Sequence, residues 1–197
     1  MARQNINLGT VANDGTGDTL RDGGDKTNDN FIELYDVHGW GYYQDAATTP
    51  ATQSITSTPS KLQIDGAGAN SESNYLPREI RGSAELWDTT NDLILPINIG
   101  DSYSVRVDLE ITAETGSPNE INVSLDIGGG GTPSIVIVDT YVSTGKSTPY
   151  NVSICIPIFT LTTFNSNGGQ IFLSTDTGTV TIGDRGISIF RISSGTI

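Results

Sequence analysis

His38 and Cys155 are the only histidine and the only cysteine in the sequence, and they lie far apart along it. A Ser-His-Asp or Cys-His nucleophile would therefore have to use His38. That residue sits in "DVHGWGYY", at the expected end of a helix, where a histidine serves as a C-terminal cap or an interface group. One Cys and one His cannot build a zinc site, and one Cys cannot form a disulfide within a chain. Inside the apolar run "NVSICIPIF", Cys155 reads as a buried structural thiol. Carboxylates are abundant, and "DLEITAE" or "ELWDTTND" could in principle supply a glycosidase pair. Asp108 and Glu110 alternate with apolar residues, however, which assigns them to the solvent side of a strand. "NDGTGD" loosely resembles a calcium loop but lacks alternating acids and a closing Glu. Gly15-Thr16-Gly17 is followed by no Lys-Ser/Thr, and Gly128 to Gly131 reads as a flexible hairpin tip. No catalytic residue, cofactor or metal is expected.

Charge narrows the partners. The formal net charge is −13, and the ten Lys and Arg are scattered without a basic run. Such a field repels nucleic acid and anionic membranes alike. "MARQNINLG" has no apolar core of a signal peptide, and no stretch reaches the roughly 18–20 apolar residues of a membrane span. A soluble protein, made and folded in a cytoplasm, is expected.

The remaining residues divide into three parts that would position any site. Residues 1–45 open with turn chemistry, Asn13-Asp14-Gly15 and Gly17-Asp18, and run into a helix over about Leu20 to Val37, capped by Asp18 or Thr19. Leu20, Gly24, Thr27, Phe31, Leu34 and His38 step by four and three, which is heptad spacing. Gly23-Gly24 cost such a helix about 2 kcal/mol of propensity, so it needs a partner, either copies of itself or another protein. Residues 46–82 form a Thr/Ser/Pro/Gly-rich connector, kept from helix by Pro50, Pro59 and Pro77, with "SITSTPSKLQI" as its one plausible strand.

Residues 83–197 have a period of two. "SYSVRVDLEIT" places Tyr103, Val105, Val107, Leu109 and Ile111 on one face, and "INVSLDI" repeats the pattern. With "ELWDTTNDLILPI", "SIVIVDTYV", "YNVSICIPIF", "GQIFLS", "GTVTIG" and "GISIFRIS", roughly eight strands are expected, an antiparallel jelly-roll sandwich. The last segment is apolar on both faces, Ile187 and Ile189 on one and Phe190 and Ile192 on the other. An edge strand in a solitary sandwich should be polar outside. These four residues are therefore expected at a trimer interface around a threefold axis; a central strand is the plainer reading.

The run from Asn7 through Tyr35 resembles an N-terminal motif of tailed-bacteriophage virion appendage proteins. The resemblance is carried by Asn13-Asp14-Gly15-Thr16-Gly17-Asp18, Leu20-Arg21, Lys26, Asn28, Asn30-Phe31 and Glu33-Leu34-Tyr35. Thr27 departs from the motif, which usually has Ile or Val there. The motif typically precedes a fibre, spike or knob, so the resemblance implies that residues 1–45 seat the chain on the particle, with Leu20, Phe31, Leu34 and Tyr35 as virion-docking residues. The expected protein is mainly β, non-enzymatic and homotrimeric, exposed on the virion surface after synthesis in the bacterial host. Its partners would be other virion proteins of capsid or tail, as a short fibre, head fibre or capsid decoration (cement) protein. The alternative is a receptor-binding knob that adheres to a host surface glycan or protein.

Overall fold

In the computed structural model, residues 4–11, 14–36, 38–45, 52–115, 120–143 and 149–195 are described. The helix α1 (Leu20–Asp36) starts where Thr19 can cap it: the Asp22 amide donates to Thr19 Oγ1 at 3.1 Å, and the Thr19 hydroxyl donates to the Asp22 carboxylate at 2.7 Å. This reciprocal pairing satisfies a helix-start amide and places an acid at the positive end of the dipole.

Strands follow: β1 (Gly39–Gln44), β2 (Gln53–Ile55), β3 (Ser60–Lys61), β4 (Trp87–Asp88), β5 (Leu93–Ile94), β6 (Ser102–Thr115), β7 (Glu120–Asp126), β8 (Val136–Ser143) and β9 (Tyr150–Phe159). After a short helix, α2 (Thr162–Asn167), come β10 (Gln170–Thr175) and β11 (Thr179–Ser193). One sheet runs β1-β11-β6-β9, with β2 also on β11; the other runs β3-β10-β7-β8. All named pairings are antiparallel. With β1 and the β4–β5 hairpin set aside, the eight remaining strands stand in two four-stranded sheets in the order of a jelly roll.

The alternation explains the sandwich. Tyr103, Val105, Val107, Leu109 and Ile111 of β6 meet Ile121, Val123 and Leu125 of β7 in one core, all essentially without solvent contact. At roughly 25 cal/mol per Å² of apolar surface buried, this shared face is the main term holding the sheets together.

Three expectations are corrected. First, the sandwich does not begin near Ser83. β1 pairs with β11 from Gly39↔Arg191 to Gln44↔Gly186, β2 pairs with the same edge of β11 farther along, and β3 pairs with β10. Ile55, Leu62 and Ile64, expected in a connector, are fully buried in the core. The stretch containing "GAGANSES" lies along β1: Tyr42 and Glu72 exchange backbone hydrogen bonds at 2.9 and 2.8 Å, and the Gly68 amide donates to the Gln44 carbonyl. Second, "GTVTIG" and "GISIFRIS" are one strand. Gly183 and Asp184 together oppose Glu110 in a bulge, so Val180 and Ile182 face the core on even positions and Ile187 and Ile189 on odd ones. Third, "ELWDTTNDLILPI" forms the β4–β5 hairpin outside both main sheets, with the Trp87 indole donating to the Ile64 carbonyl at 3.0 Å.

Candidate docking surfaces

The N-terminal unit is built from polar groups. Asp14 closes its loop by accepting from the amides of Thr10 (2.6 Å), Val11 (2.9 Å) and Thr16 (2.9 Å) and from the Thr10 hydroxyl (2.6 Å). The Thr10 hydroxyl first, then the three amides, hold the Asp14 carboxyl well below the usual carboxylate range. Gly9 and Gly15 take positive φ, and at Gly9 a Cβ would lie 2.6 Å from the Asp14 carboxylate. A second tie joins Asn7 and Asp18: the Asp18 amide donates to the Asn7 carbonyl, and the Asn7 amide to the Asp18 carboxylate, each at 2.8 Å.

The loop is then fastened along one flank of α1. Lys26 donates to Asp18 at 2.7 Å and to the Asn5 carbonyl, and its ammonium, with the Asn7 amide, lowers the Asp18 pKa. Asn30 exchanges hydrogen bonds with the Gln4 backbone, and the Gln4 side chain donates to Asp29. Position 13 of the motif lies outside the described residues, as does the structure of residue 37.

Several large apolar side chains of this unit face out. Leu20 is 96% exposed, Leu34 57% and Phe31 53%. Tyr35 belongs to the helix backbone, but its side chain is outside the described residues. Leu8 and Val11 are likewise exposed on the loop, 87% in the first case, and sequence reasoning passed over them as turn residues. At 100° per residue Leu20, Gly24, Thr27, Phe31 and Leu34 share one side of α1, while Asp22, Asp25 and Asp29 lie away from it.

The four residues expected at a trimer interface separate. Ile187 and Ile189 are fully buried inside the chain's own sandwich, because β11 is the central strand between β1 and β6. They are unavailable to another subunit. Phe190 and Ile192 stand on the outer face, 38% and 51% exposed. Phe190 packs on Trp40 with ring centroids 6.0 Å apart, and Trp40 stacks on Tyr75 at 5.3 Å. In β1 Trp40 and Tyr42 point outward and Tyr43 inward, so aromatics lie on both faces of the strand.

The residues weighed for chemistry are dispersed. His38 is exposed between α1 and β1. Cys155 is exposed, not buried: in β9 Ile154, Ile156 and Ile158 point inward, which turns Cys155 outward opposite Arg106. Asp108 accepts from Arg106 Nε at 3.0 Å and from the Ser153 hydroxyl, both on the outer face. With Tyr42, Glu110 and Asp184 they border an open polar trough of about 370 Å³. Gly128 to Gly131 is pinned at its base, since buried Asp126 accepts from the amides of Gly128, Ser134 and Ile135. Among the described residues no cluster of His, Cys, Asp and Glu is arranged to hold a metal, and no helix is long and apolar enough to cross a membrane.

The sequence profile described as bacteriophage T4 gp9/10-like protein, N-terminal, matches residues 3–143. The chain belongs to this family. The match runs from the polar loop through α1 and on to the end of β8, so the gp9/10-like region takes in both the N-terminal unit and a large part of the sandwich. The virion-appendage resemblance is thereby borne out at the level of the family. A curated relative, the baseplate wedge protein gp10 of Enterobacteria phage T4, is 67% identical over 33 residues, which is 17% of this chain and only 6% of that protein. Among solved structures, the PRD1 vertex protein P5 covers 79% of this chain and 97% of its own at 13% identity and a TM-score of 0.44. The Eiger TNF from S. frugiperda covers 81% and 96% at 9% identity and a TM-score of 0.45. The jelly-roll assignment rests on the strand order itself.

Proposed function

We propose that this gp9/10-like chain is a non-enzymatic structural appendage of the virion, seated on the particle by residues 1–45 with its jelly-roll sandwich facing outward. It would act as a homotrimer, as a short fibre or a capsid decoration (cement) protein, with virion proteins of the capsid or tail as partners. The observation that carries the reading is the inversion of the N-terminal unit: its fold is locked by Asp14, Asp18, Lys26 and Asn30, while Leu8, Leu20, Phe31 and Leu34 are left facing water. Exposed leucines on a unit fixed by polar bonds are available for a partner. Particles lacking the endogenous copy would be incubated with tagged full-length protein and with a version beginning at Gly39, then sedimented. Full-length protein should co-sediment and the truncated one should not; equal binding by both would show that the sandwich docks instead.

A receptor-binding knob is the second reading. The polar trough beside Tyr42 favours it, because Asp108, Glu110 and Asp184 offer acceptors to sugar hydroxyls next to an aromatic ring. Loss of adhesion to host cells on Tyr42→Ala, with particle binding kept, would support it.

A further inference from the structure

We infer that the apolar half of the outer face of the β1-β11-β6-β9 sheet is the surface on which the sandwich of a second copy of this chain seats. This deepens the homotrimer reading and rests on it.

The register lays out the surface. Trp40, Phe190, Ser104 and Pro157 occupy one row across the four strands, and Ser102 and Phe159 belong to the next. Tyr75 extends the first row beyond β1, where its carbonyl accepts from the Trp40 amide at 2.9 Å, and Ile192 lies in the irregularity that ends β11. Phe159 is 66% exposed and Tyr75 57%. With Phe190 and Ile192, also exposed, they leave four large apolar side chains on one face, the kind of patch that marks an interaction surface.

Charge selects the occupant. On β6, β9 and β11 these two rows carry no ionisable acid or base, with exposed His38 flanking them just before β1, whereas the rows that follow on the same face carry Arg106, Asp108 and Glu110. Copies of a chain with net charge −13 repel one another almost everywhere. An uncharged apolar band is where two of them can meet without burying like charges. A stacking sugar fits less well. β11 sets Phe190 on one side of Trp40, and the segment ending at Tyr75 packs on the other, so the faces of the indole are taken. The cluster is also preformed, which lowers the ordering cost of association.

The test uses the full chain with Phe159→Glu and Ser104→Glu, both outer-face changes that leave the core intact, and Tyr141→Glu on the opposite sheet as control. Sedimentation equilibrium over a concentration series measures self-association, and a cooperative thermal melt confirms folding. The first two variants should weaken self-association at least 100-fold, and Tyr141→Glu should leave it within a few-fold. A multimeric wild type whose association ignores Phe159→Glu and Ser104→Glu, or responds equally to Tyr141→Glu, overturns this surface while the homotrimer stands. A wild type that stays at 20.9 kDa overturns the homotrimer and this inference with it.

Discussion

The N-terminal unit and the sandwich solve the same problem with opposite residues. In the sandwich Ile, Val and Leu close the structure and polar groups face water. In residues 4–36 carboxylates and amides close the structure, and the leucines, a valine and a phenylalanine face water. Buried apolar area is non-directional and tolerates conservative change, whereas hydrogen bonds demand particular atoms at particular distances. A region held by such bonds is specified by sequence far more narrowly.

The largest break in this comparison should come from the exposed leucines and phenylalanine. Replacing Leu20, Phe31 and Leu34 together by Ala is expected to remove about 5 kcal/mol from particle binding, on the order of 10⁴-fold in Kd, if they pack at the docking site. The melting temperature of the sandwich should not move, because none of the three belongs to its core. Co-sedimentation and calorimetry on the same samples check both halves.

The reverse break lies in the sandwich. Arg191 and Asp101 form a fully buried pair at 2.9 Å, and Asp101 also accepts from Tyr103, Asn98 and Gly195. Arg191→Ala leaves the carboxylate buried without its cation and should cost about 3–5 kcal/mol. Ile187→Ala, a cavity in the core, should cost about 2–5 kcal/mol. Chemical denaturation should register both losses, while particle binding by the fraction that remains folded should be unchanged.

How far the sequence could be read follows from the same contrast. Alternation over a long strand is unmistakable, so β6, β7 and β9 were legible from Tyr103, Val123 or Ile156. β1 was not, because aromatics on both of its faces, Trp40 and Tyr42 outward and Tyr43 inward, erase the period. β2 and β3 are three and two residues long, too short for any period to show. The bulge at Gly183 and Asp184 shifts the phase of β11 and made one strand look like two. It also hid that Ile187 and Ile189 are ordinary core residues. The exposed stripe of Leu20, Phe31 and Leu34 was legible through heptad spacing; Leu8 and Val11 carry no periodic signal, and only the fold shows them exposed.

A third test uses acid. The pKa values of Asp14 and Asp18 are lowered in the folded loop, so the unfolded loop takes up protons first. Their stabilisation is complete above the ordinary carboxylate value of about 3.9 and is lost as pH falls through the lowered values. NMR resonances of Thr10, Val11 and Thr16 should stay dispersed down to about pH 4 and collapse only below it. Collapse between pH 5 and 6 would mean that these carboxylates do not hold the loop. Asp14→Ala should produce the collapsed pattern at neutral pH.

The smallest effect is also the most discriminating. Gly24 lies mid-helix on the apolar side of α1, and a Cβ added there would meet nothing within 4 Å. Within the isolated chain glycine therefore does nothing for packing, and Gly24→Ala should raise helix stability by about 1 kcal/mol. The gain should appear as higher helical ellipticity and slower amide exchange in α1. Particle binding then decides what the glycine is for. If another backbone approaches α1 closely beside Phe31, the added methyl obstructs it, and binding should fall several-fold although the helix is more stable. If binding rises with helicity, nothing approaches at Gly24, and docking through Leu20, Phe31 and Leu34 involves only the side-chain tips. A change of sign between stability and binding at one methyl group would tie the inverted character of this unit to its contact with a partner.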